Sequence, residues 1–167
     1  MSVNISTLQF QQSDFSSTVA ETLKETGLDP SVLELELTEN IIQHAKEAVP
    51  VLHQLKNLGV KLSLDDFGTG YSSLGYLKDF PLDTLKIDKT FIQGMNGVSR
   101  ETAIVESILH LAGQLNFHVI AEGIETPLQL NLLRQKKCHE YQGYLYSPPV
   151  AGDELFKMYK KNDDISY

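Results

Sequence analysis

Residues 60–70 read VKLSLDDFGTG, an apolar run that ends in two acids and a glycine-rich segment. The run predicts a buried strand over residues 60–65, and the acids and glycines after it predict a tight loop at the C-terminal end of that strand. Neighbouring strand residues point to opposite faces, so Asp65 and Asp66 can reach one site only if the strand ends at Asp65. Gly68 and Gly70 permit the sharp turn that this requires. The stretch therefore predicts a strand that delivers acids to a functional site.

Similar units precede and follow this stretch. Short runs rich in Leu, Ile and Val alternate with longer segments of helical period, which indicates repeated βα units and a parallel sheet. Within the 101–116 helix, the expected apolar stripe is Ile104, Ile108, Leu111 and Leu115, and Pro50 is expected in the first turn of its helix. The predicted strands are 3–6, 32–38, 60–65, 85–88, 117–122 and 144–146, and the predicted helices are 13–26, 72–78, 101–116, 153–160, one that ends at Leu58-Gly59 and one that begins at Thr126-Pro127.

The placement of polar residues decides between two parallel architectures. No G-x-G-x-x-G sequence follows the first strand, so an open dinucleotide-binding sheet lacks its most specific signal. A (β/α)₈ barrel collects functional groups from the C-terminal ends of many strands, whereas an open sheet concentrates them at one switch point. The chain favours the barrel, because several predicted strands end in polar residues, namely Glu36, Asp65, Lys86 with Asp88, and Glu122.

Length, charge and cysteine content limit the class of protein. The 167 residues suit one domain over residues 1–167, and the net charge of -8 opposes binding to a nucleic-acid polymer. The single cysteine, Cys138, has no neighbouring Cys or His at metal-ligand spacing, so we interpret it as a spectator thiol. No targeting segment or membrane-length apolar run is present in the sequence, which favours a cytoplasmic protein with no membrane segment.

Acids that converge in one mouth would repel each other unless cations lie between them. Mg²⁺ and Mn²⁺ take oxygen ligands, and two such ions about 3.5–4 Å apart can clamp the attacking and leaving oxygens of a phosphodiester. The adjacent acids Asp65 and Asp66 are well suited to bridge and flank such a pair of ions. Each feature also has a plain alternative, because residues 66–70 alone would more often be an ordinary turn and Lys86 alone a solvated surface lysine.

Six runs in one order resemble the EAL domains that hydrolyse cyclic di-GMP, and together they span nearly the whole chain. The fold that this resemblance implies is an α/β, TIM-barrel-like (β/α)₈ barrel. The implied reaction is metal-dependent hydrolysis of cyclic di-GMP to linear pGpG in bacterial second-messenger signalling. The matching runs are Val3-Asn4-Ile5-Ser6, Glu36-Leu37-Thr38-Glu39, Asp65-Asp66-Phe67-Gly68-Thr69-Gly70-Tyr71-Ser72-Ser73-Leu74, Leu85-Lys86-Ile87-Asp88, Ile120-Ala121-Glu122-Gly123-Ile124-Glu125-Thr126 and Gln142-Gly143-Tyr144-Leu145.

The resemblance also implies a role for each of these residues. Asn4, Glu36 and Asp65 would bind one ion, Mg²⁺ or Mn²⁺, and Asp65 would bridge to a second ion held by Asp66 and Glu122. Lys86 would orient or deprotonate the attacking water, and a lysine beside two cations can have a lowered pKa. The expected supporting or ligand-binding residues are Glu39, which would fix the loop from Asp66 to Ser73, and Asp88, Gln142, Gly68 and Gly70.

The chain also departs from the family pattern. An intact (β/α)₈ barrel takes about 250 residues, and the Glu-Ala-Leu motif of the family, with a nearby phosphate-contacting arginine, is absent from this sequence. We therefore expect one partial EAL domain that lacks the N-terminal βα elements and is inactive alone. The alternatives are a noncatalytic cyclic di-GMP receptor and a partner-binding remnant. Because six βα units cannot close an eight-stranded barrel, we also expect a homo-oligomer.

Overall fold

A computed structural model describes residues 1–42, 45–68 and 74–162 of the chain. Its strands form one sheet in which every neighbouring pair is parallel and the order in space follows the order in sequence. This confirms the predicted α/β class with repeated βα units. The strands of this part of the chain are β1 (Ser2–Ile5), β2 (Glu34–Thr38), β3 (Lys61–Phe67), β4 (Thr84–Ile87), β5 (His118–Glu122) and β6 (Glu140–Gln142).

Helices connect successive strands, and side-chain caps mark where several of them begin. Asp88 caps α6 by accepting from the backbone N–H of Thr90, and Ser99 caps α7 in the same way through Thr102. The helices are α1 (Thr7–Phe10), α2 (Phe15–Thr26), α3 (Glu39–Ile42), α4 (Ala45–Asn57), α5 (Leu74–Leu77), α6 (Lys89–Gln93), α7 (Arg100–Gln114), α8 (Pro127–Gln135) and α9 (Gly152–Asn162), and Pro30–Val32 adds a 3₁₀ turn.

The two faces of the sheet differ in chemistry. Strand alternation and the parallel register place one set of side chains against the helices, and these are almost all apolar and buried, as Leu37, Leu64, Leu85 and Val119 are. The opposite face carries mostly polar side chains. Its polar members include Asn4, Glu36, Ser63, Asp65, Thr84, Lys86, His118, Glu122, Glu140 and Gln142.

Strand β3 positions Asp65 and Asp66 differently from the prediction. The strand continues through Asp65 to Phe67, so the prediction that it ends at Asp65 is wrong. Leu64 pairs with Leu85 and Phe67 with Ile87, which leaves one extra residue in β3. This is a bulge, and Asp66 within it has a φ of 55°. The bulge redirects the second acid without ending the strand.

The last predicted strand is displaced along the chain. Residues 144–146 form a turn, in which the N–H of Tyr146 donates to the carbonyl of Gly143, and the strand lies at Glu140–Gln142 instead. Tyr144 and Tyr146 are 67% and 54% exposed. In this turn Leu145 packs on the core while the tyrosines on either side do not. This alternation is the same pattern that a half-buried strand would give.

Two helical predictions also change. Pro50 lies inside α4 beyond its first turn, where its ring is exposed and the missing N–H is tolerated. The buried stripe of α7 is Thr102, Val105, Ile108 and Ala112, whereas Ile104 is 40% exposed. Thr102 is polar but belongs to the buried side, where it accepts from the backbone N–H groups of Asn96 and Gly97 in the preceding loop. Of the predicted 72–78 helix, residues 74–77 are helical and residues 72–73 lie outside the described part.

Helix length bears on the prediction about membranes. Among the residues that the structure describes, no helix is both long enough and apolar enough to cross a bilayer.

Candidate active site

The Lys86 ammonium lies at the centre of the polar face. Its Nζ is 2.8 Å from Glu122 Oε1, 3.0 Å from Glu36 Oε2 and 3.1 Å from Asp65 Oδ1. Three separate strands, β2, β3 and β5, deliver these carboxylates to the lysine of β4. Sequence analysis predicted all four residues, and the structure brings them together. We name Lys86, Glu36, Asp65 and Glu122 the Lys86 cluster.

Burial and charge act against each other in this cluster. Burial alone would lower the pKa of Lys86, but hydrogen bonds to Glu122 and Glu36 and the charge of Asp65 outweigh it, so the pKa is raised. Burial raises the pKa of Glu122, and the neighbouring ammonium only partly offsets this effect. The lowered lysine pKa was expected for a lysine beside two cations. The raised pKa belongs to Lys86 with carboxylates as its neighbours, so the effect of two cations stays a prediction.

Asp66 and Asp88 form a second acidic pair beside the cluster. Burial raises the pKa of Asp66, and the charges of Asp65 and Asp88 raise it further. Burial also opposes ionisation of Asp88, but hydrogen bonds from Thr90 and from the Lys89 backbone leave its pKa below the usual value. The two carboxyl groups are hydrogen-bonded to each other. The bulge in β3 thus places Asp66 against the residue that caps α6.

The site therefore holds an excess of negative charge. The carboxylates of Glu36, Asp65 and Glu122 contact the Lys86 ammonium, and the Asp66–Asp88 pair lies beside them. In the part of the chain that is described, no three His, Cys, Asp or Glu side chains are arranged to hold a metal ion. The Lys86 ammonium occupies the space between three of the acids. Carboxylate oxygens in excess are nevertheless the donor set that hard divalent cations prefer.

The other predicted residues lie around this centre. Asn4 faces Glu36 across the β1–β2 register with an exposed side chain, and Gln142 faces Glu122 across the β5–β6 register and is also exposed. Glu39 is 4% exposed at the start of α3. The residues that would form the Asp66–Ser73 loop beyond 68, including Gly70, lie outside the described residues, so the predicted contact of Glu39 with that loop remains a prediction.

Gly68 is required by its conformation and by its neighbour. Its φ is 98°, and a Cβ placed there would lie 2.8 Å from Cε2 of Phe91 on α6. A side chain at this position would be strained by the positive φ and would have to displace the Phe91 ring. The close approach keeps Asp66 next to Asp88, which immediately precedes that helix.

A wide cavity adjoins Glu122 and Gln142. It has a volume of about 730 Å³, and its lining includes Lys89, Tyr144 and Pro148. The cavity is open to solvent and combines a cation, aromatic surface and backbone of the Gly143 turn. Such a mixture suits a polar ligand that carries flat rings and negative charge.

Sequence reasoning missed Gln129. This buried side chain accepts from the backbone N–H groups of Glu125 and Thr126, and so it fixes the loop that follows Glu122. It could have been found, because Thr126 and Gln129 have the S/T-x-x-E/Q spacing of a capping box.

Ser63 was also missed. It is fully buried below Asp65, and its hydroxyl has no hydrogen-bond partner among the described residues.

Comparison with known sequences gives a consistent result. The model of the EAL domain family matches residues 1–149. A protein of Pseudomonas aeruginosa named cyclic di-GMP phosphodiesterase NbdA is 44% identical over 146 residues, which are 85% of this chain and 19% of that protein. The Bacillus subtilis signaling protein YkoW is 41% identical over 159 residues, 93% of this chain and 20% of that protein. The chain thus spans about a fifth of the length of these curated relatives.

Solved structures agree with the sequences. A structure described as the PaMucR phosphodiesterase in complex with c-di-GMP superposes with a TM-score of 0.88 at 41% identity, covering 92% of this chain and 69% of that one. The EAL domain of Mycobacterium smegmatis DcpA gives 0.88 at 37% identity, covering 96% and 72%. The predicted TIM-barrel-like fold is confirmed, and the family match over residues 1–149 shows that the chain belongs to the EAL domain family.

Proposed function

We propose that this chain carries most of the active site of a cyclic di-GMP phosphodiesterase that produces linear pGpG. The observation that carries the proposal is the Lys86 cluster, in which acids from three strands converge on one buried lysine at the C-terminal ends of the strands. The relative named cyclic di-GMP phosphodiesterase and the solved phosphodiesterase complex with c-di-GMP support the choice of substrate.

Metal dependence is a property of EAL domains, and we propose Mg²⁺ or Mn²⁺ as the ions. Asn4, Glu36 and Asp65 would hold one ion, and Asp65, Asp66 and Glu122 would hold the other. The excess of carboxylate oxygens around Lys86 fits such ions. When bound, two hard cations polarise the phosphodiester and stabilise the attacking and leaving oxygens.

The residues of the chain have separate tasks in this scheme. Lys86 donates hydrogen bonds from a buried position and orients the attacking water. Glu122 and Asp65 hold the ammonium in place, and the Asp66–Asp88 pair joins the β3 bulge to α6. Glu39 supports the loop that begins with Gly68 and Gly70, and Gln142 contacts the ligand from β6.

The proposed setting is that of one partial EAL domain over residues 1–167 in the cytoplasm, with cyclic di-GMP as its ligand and without a nucleic-acid polymer as partner. We further propose that the 167-residue chain alone is a poor catalyst, since the Glu-Ala-Leu glutamate and its arginine are absent from the sequence. We also propose that it associates with itself, since β1 and β6 are edge strands of the described sheet. A noncatalytic receptor is the less favoured alternative, because simple ligand binding has no chemical need for Lys86.

The test requires a complete barrel. A hybrid would join the preceding part of the EAL domain of NbdA to this chain, and chromatography would measure the conversion of cyclic di-GMP to pGpG. The expected result is turnover that stops on chelation and returns when Mn²⁺ is added in excess of the chelator. Turnover that continues in the chelator would contradict the proposed metal site. A hybrid that folds and binds cyclic di-GMP without hydrolysing it would favour the receptor.

A further inference from the structure

Lys89 lines the wide cavity beside Glu122 and Gln142, and its side chain is exposed. Among the residues that the structure describes, no carboxylate forms an ion pair with the Lys89 ammonium. Lys86, three residues earlier, is in contrast held by three acids. The Lys89 ammonium is therefore available to a ligand in the cavity.

The backbone of the loop after β5 fixes where the Lys89 side chain begins. Gly123 directly follows Glu122 and has a φ of 72°, and a Cβ placed on it would lie 2.4 Å from the Cβ of Lys89. The first carbon of the lysine side chain thus packs on the loop that follows Glu122. The Lys89 backbone N–H also donates to the carboxylate of Asp88. These contacts hold the stem of Lys89 beside the candidate active site.

The apolar lining of the cavity suits a flat ring. Tyr144 and Leu155 both line it and are 67% and 60% exposed. A nucleobase can stack on an aromatic side chain such as Tyr144, and stacking of this kind tolerates every base. The volume of about 730 Å³ lies within the range of roughly 300–1,000 Å³ that small-molecule pockets have. The cavity can therefore hold one base of a dinucleotide.

Two acids decide which part of a nucleotide the cavity suits. Glu122 and Glu125 also line it, and Glu125 Oε1 accepts from Gln93 Nε2 at 3.2 Å. A phosphate group beside these carboxylates would meet like charge. A carboxylate only accepts hydrogen bonds, whereas an ammonium only donates them. The lining therefore favours a neutral base that has acceptors on one edge and donors on another.

Guanine has this arrangement of groups. Its O6 and N7 are both acceptors, whereas adenine has an acceptor at N7 but an amino donor at N6. We propose that Lys89 donates to O6 and N7 of one guanine of the ligand and so determines a preference for guanine over adenine. Glu125, in the same cavity, accepts from the N1–H and amino groups of that base. The inference deepens the proposed function and rests on it, since cyclic di-GMP supplies the guanine.

Binding of mononucleotides to the 167-residue chain tests this assignment. The ligands are GMP, AMP and 7-deaza-GMP, which lacks the N7 acceptor, and NMR titration of the chain measures each dissociation constant. GMP should bind at least about 5-fold more tightly than AMP, as for one well-placed pair of hydrogen bonds, and 7-deaza-GMP should bind more weakly than GMP. Lys89→Met should weaken GMP binding at least about 5-fold and change AMP binding less than about 2-fold, so that the preference disappears.

Two further variants separate a contact from a general effect of charge. Lys89→Arg should keep the preference for GMP, because arginine also donates to O6 and N7. Lys24→Met is the matched control, since it removes the same charge from the exposed side of α2, outside the cavity, and should leave both affinities unchanged. Circular dichroism establishes that each variant is folded. The comparison of GMP with 7-deaza-GMP on the wild-type chain does not depend on the folding of any variant.

Several results would overturn the inference. A folded wild-type chain that binds neither GMP nor AMP at millimolar concentration would show that the cavity holds no base. Equal losses of GMP and AMP binding in Lys89→Met, with displacement of GMP by ribose 5-phosphate, would assign the lysine to the phosphate. Unchanged GMP binding in Lys89→Met, or equal binding of GMP and 7-deaza-GMP to the wild-type chain, would exclude the contact with the guanine edge.

These titrations need neither hydrolysis nor added metal. A guanine preference that depends on Lys89, without turnover in the hybrid, would therefore contradict the proposed phosphodiesterase activity alone. Turnover in the hybrid without a guanine preference in the chain would contradict the role of Lys89 alone.

Discussion

Lys86 is held by carboxylates from three strands, with only 8% of its side chain exposed. Its place at the end of a strand could be predicted from the sequence, because the apolar run Leu85 to Ile87 is interrupted by this one charge. The contacts could not be predicted, since they depend on the relative register and curvature of β2 to β5. The same holds for Asp66, whose direction is set by a bulge that leaves no signal in the pattern of apolar residues.

Replacement of Lys86 by Met should separate catalysis from binding. In the complete domain we expect turnover to fall about 100-fold or more, as for loss of a group that positions a proton-transferring water. The dissociation constant of cyclic di-GMP should change less than about 3-fold if the lysine acts on the water and not on the ligand. Steady-state kinetics and calorimetric titration measure the two quantities. Equal losses in both would assign Lys86 to ligand binding.

Cys138 should behave as an inert thiol in the folded chain. Its pKa of about 11 reflects burial, so at pH 8 only about one thiol in a thousand is ionised. Alkylation by iodoacetamide, followed by mass spectrometry, should therefore be at least 100-fold slower than in urea-unfolded chain. Fast labelling of the folded chain would mean that the β5–β6 region opens readily. The spectator interpretation would then be untenable.

At the level of elements, the sequence predicted well the strands that end in a charged residue. It predicted poorly the elements whose position or orientation depends on packing against the rest of the chain. The β2, β4 and β5 predictions agree with the structure to within two residues at each end. The last strand was misplaced by several residues, because Tyr144 and Tyr146 project into solvent from a turn. The face of α7 was also misjudged, since buried Thr102 has a structural role that hydrophobicity does not report.

Gln129 links α8 to the loop after Glu122. Its replacement by Ala leaves the N–H groups of Glu125 and Thr126 without their acceptor, at a cost of about 1–3 kcal/mol in the free energy of unfolding. Urea denaturation measures this loss. The matched control is Gln135→Ala at the exposed end of the same helix, where we expect a change below about 0.5 kcal/mol. Similar values for both variants would show that the loop is held by other contacts.

At the level of the whole molecule, one face of the sheet is apolar under the helices and the other is polar. That division fits an EAL barrel and explains why acids accumulate at one mouth. The chain aligns with 69% of the length of the PaMucR structure and 72% of that of DcpA. The resemblance of six sequence runs was enough to predict this fold. The length of the chain indicated an incomplete barrel but did not indicate what covers the edge strands.

The 167-residue chain should hydrolyse cyclic di-GMP at least 100-fold more slowly than the hybrid that completes the barrel. The reason is that the Glu-Ala-Leu glutamate is absent from the sequence, and loss of outer-shell support alone commonly costs 10–100-fold. Initial rates of pGpG formation at equal concentrations, with Mn²⁺ present, measure the ratio. Equal rates would show that the site needs no further carboxylate.

Asp65→Asn in the hybrid tests the proposal that the acids around Lys86 form a metal-dependent site for cyclic di-GMP hydrolysis. Mn²⁺ binding, followed by electron paramagnetic resonance, and pGpG formation would be measured on the same samples. Because Asp65 would bridge both ions, the variant should lose tight Mn²⁺ binding and more than about 100-fold in turnover while it remains folded. A folded Asp65→Asn variant that keeps both Mn²⁺ binding and turnover would contradict the proposal.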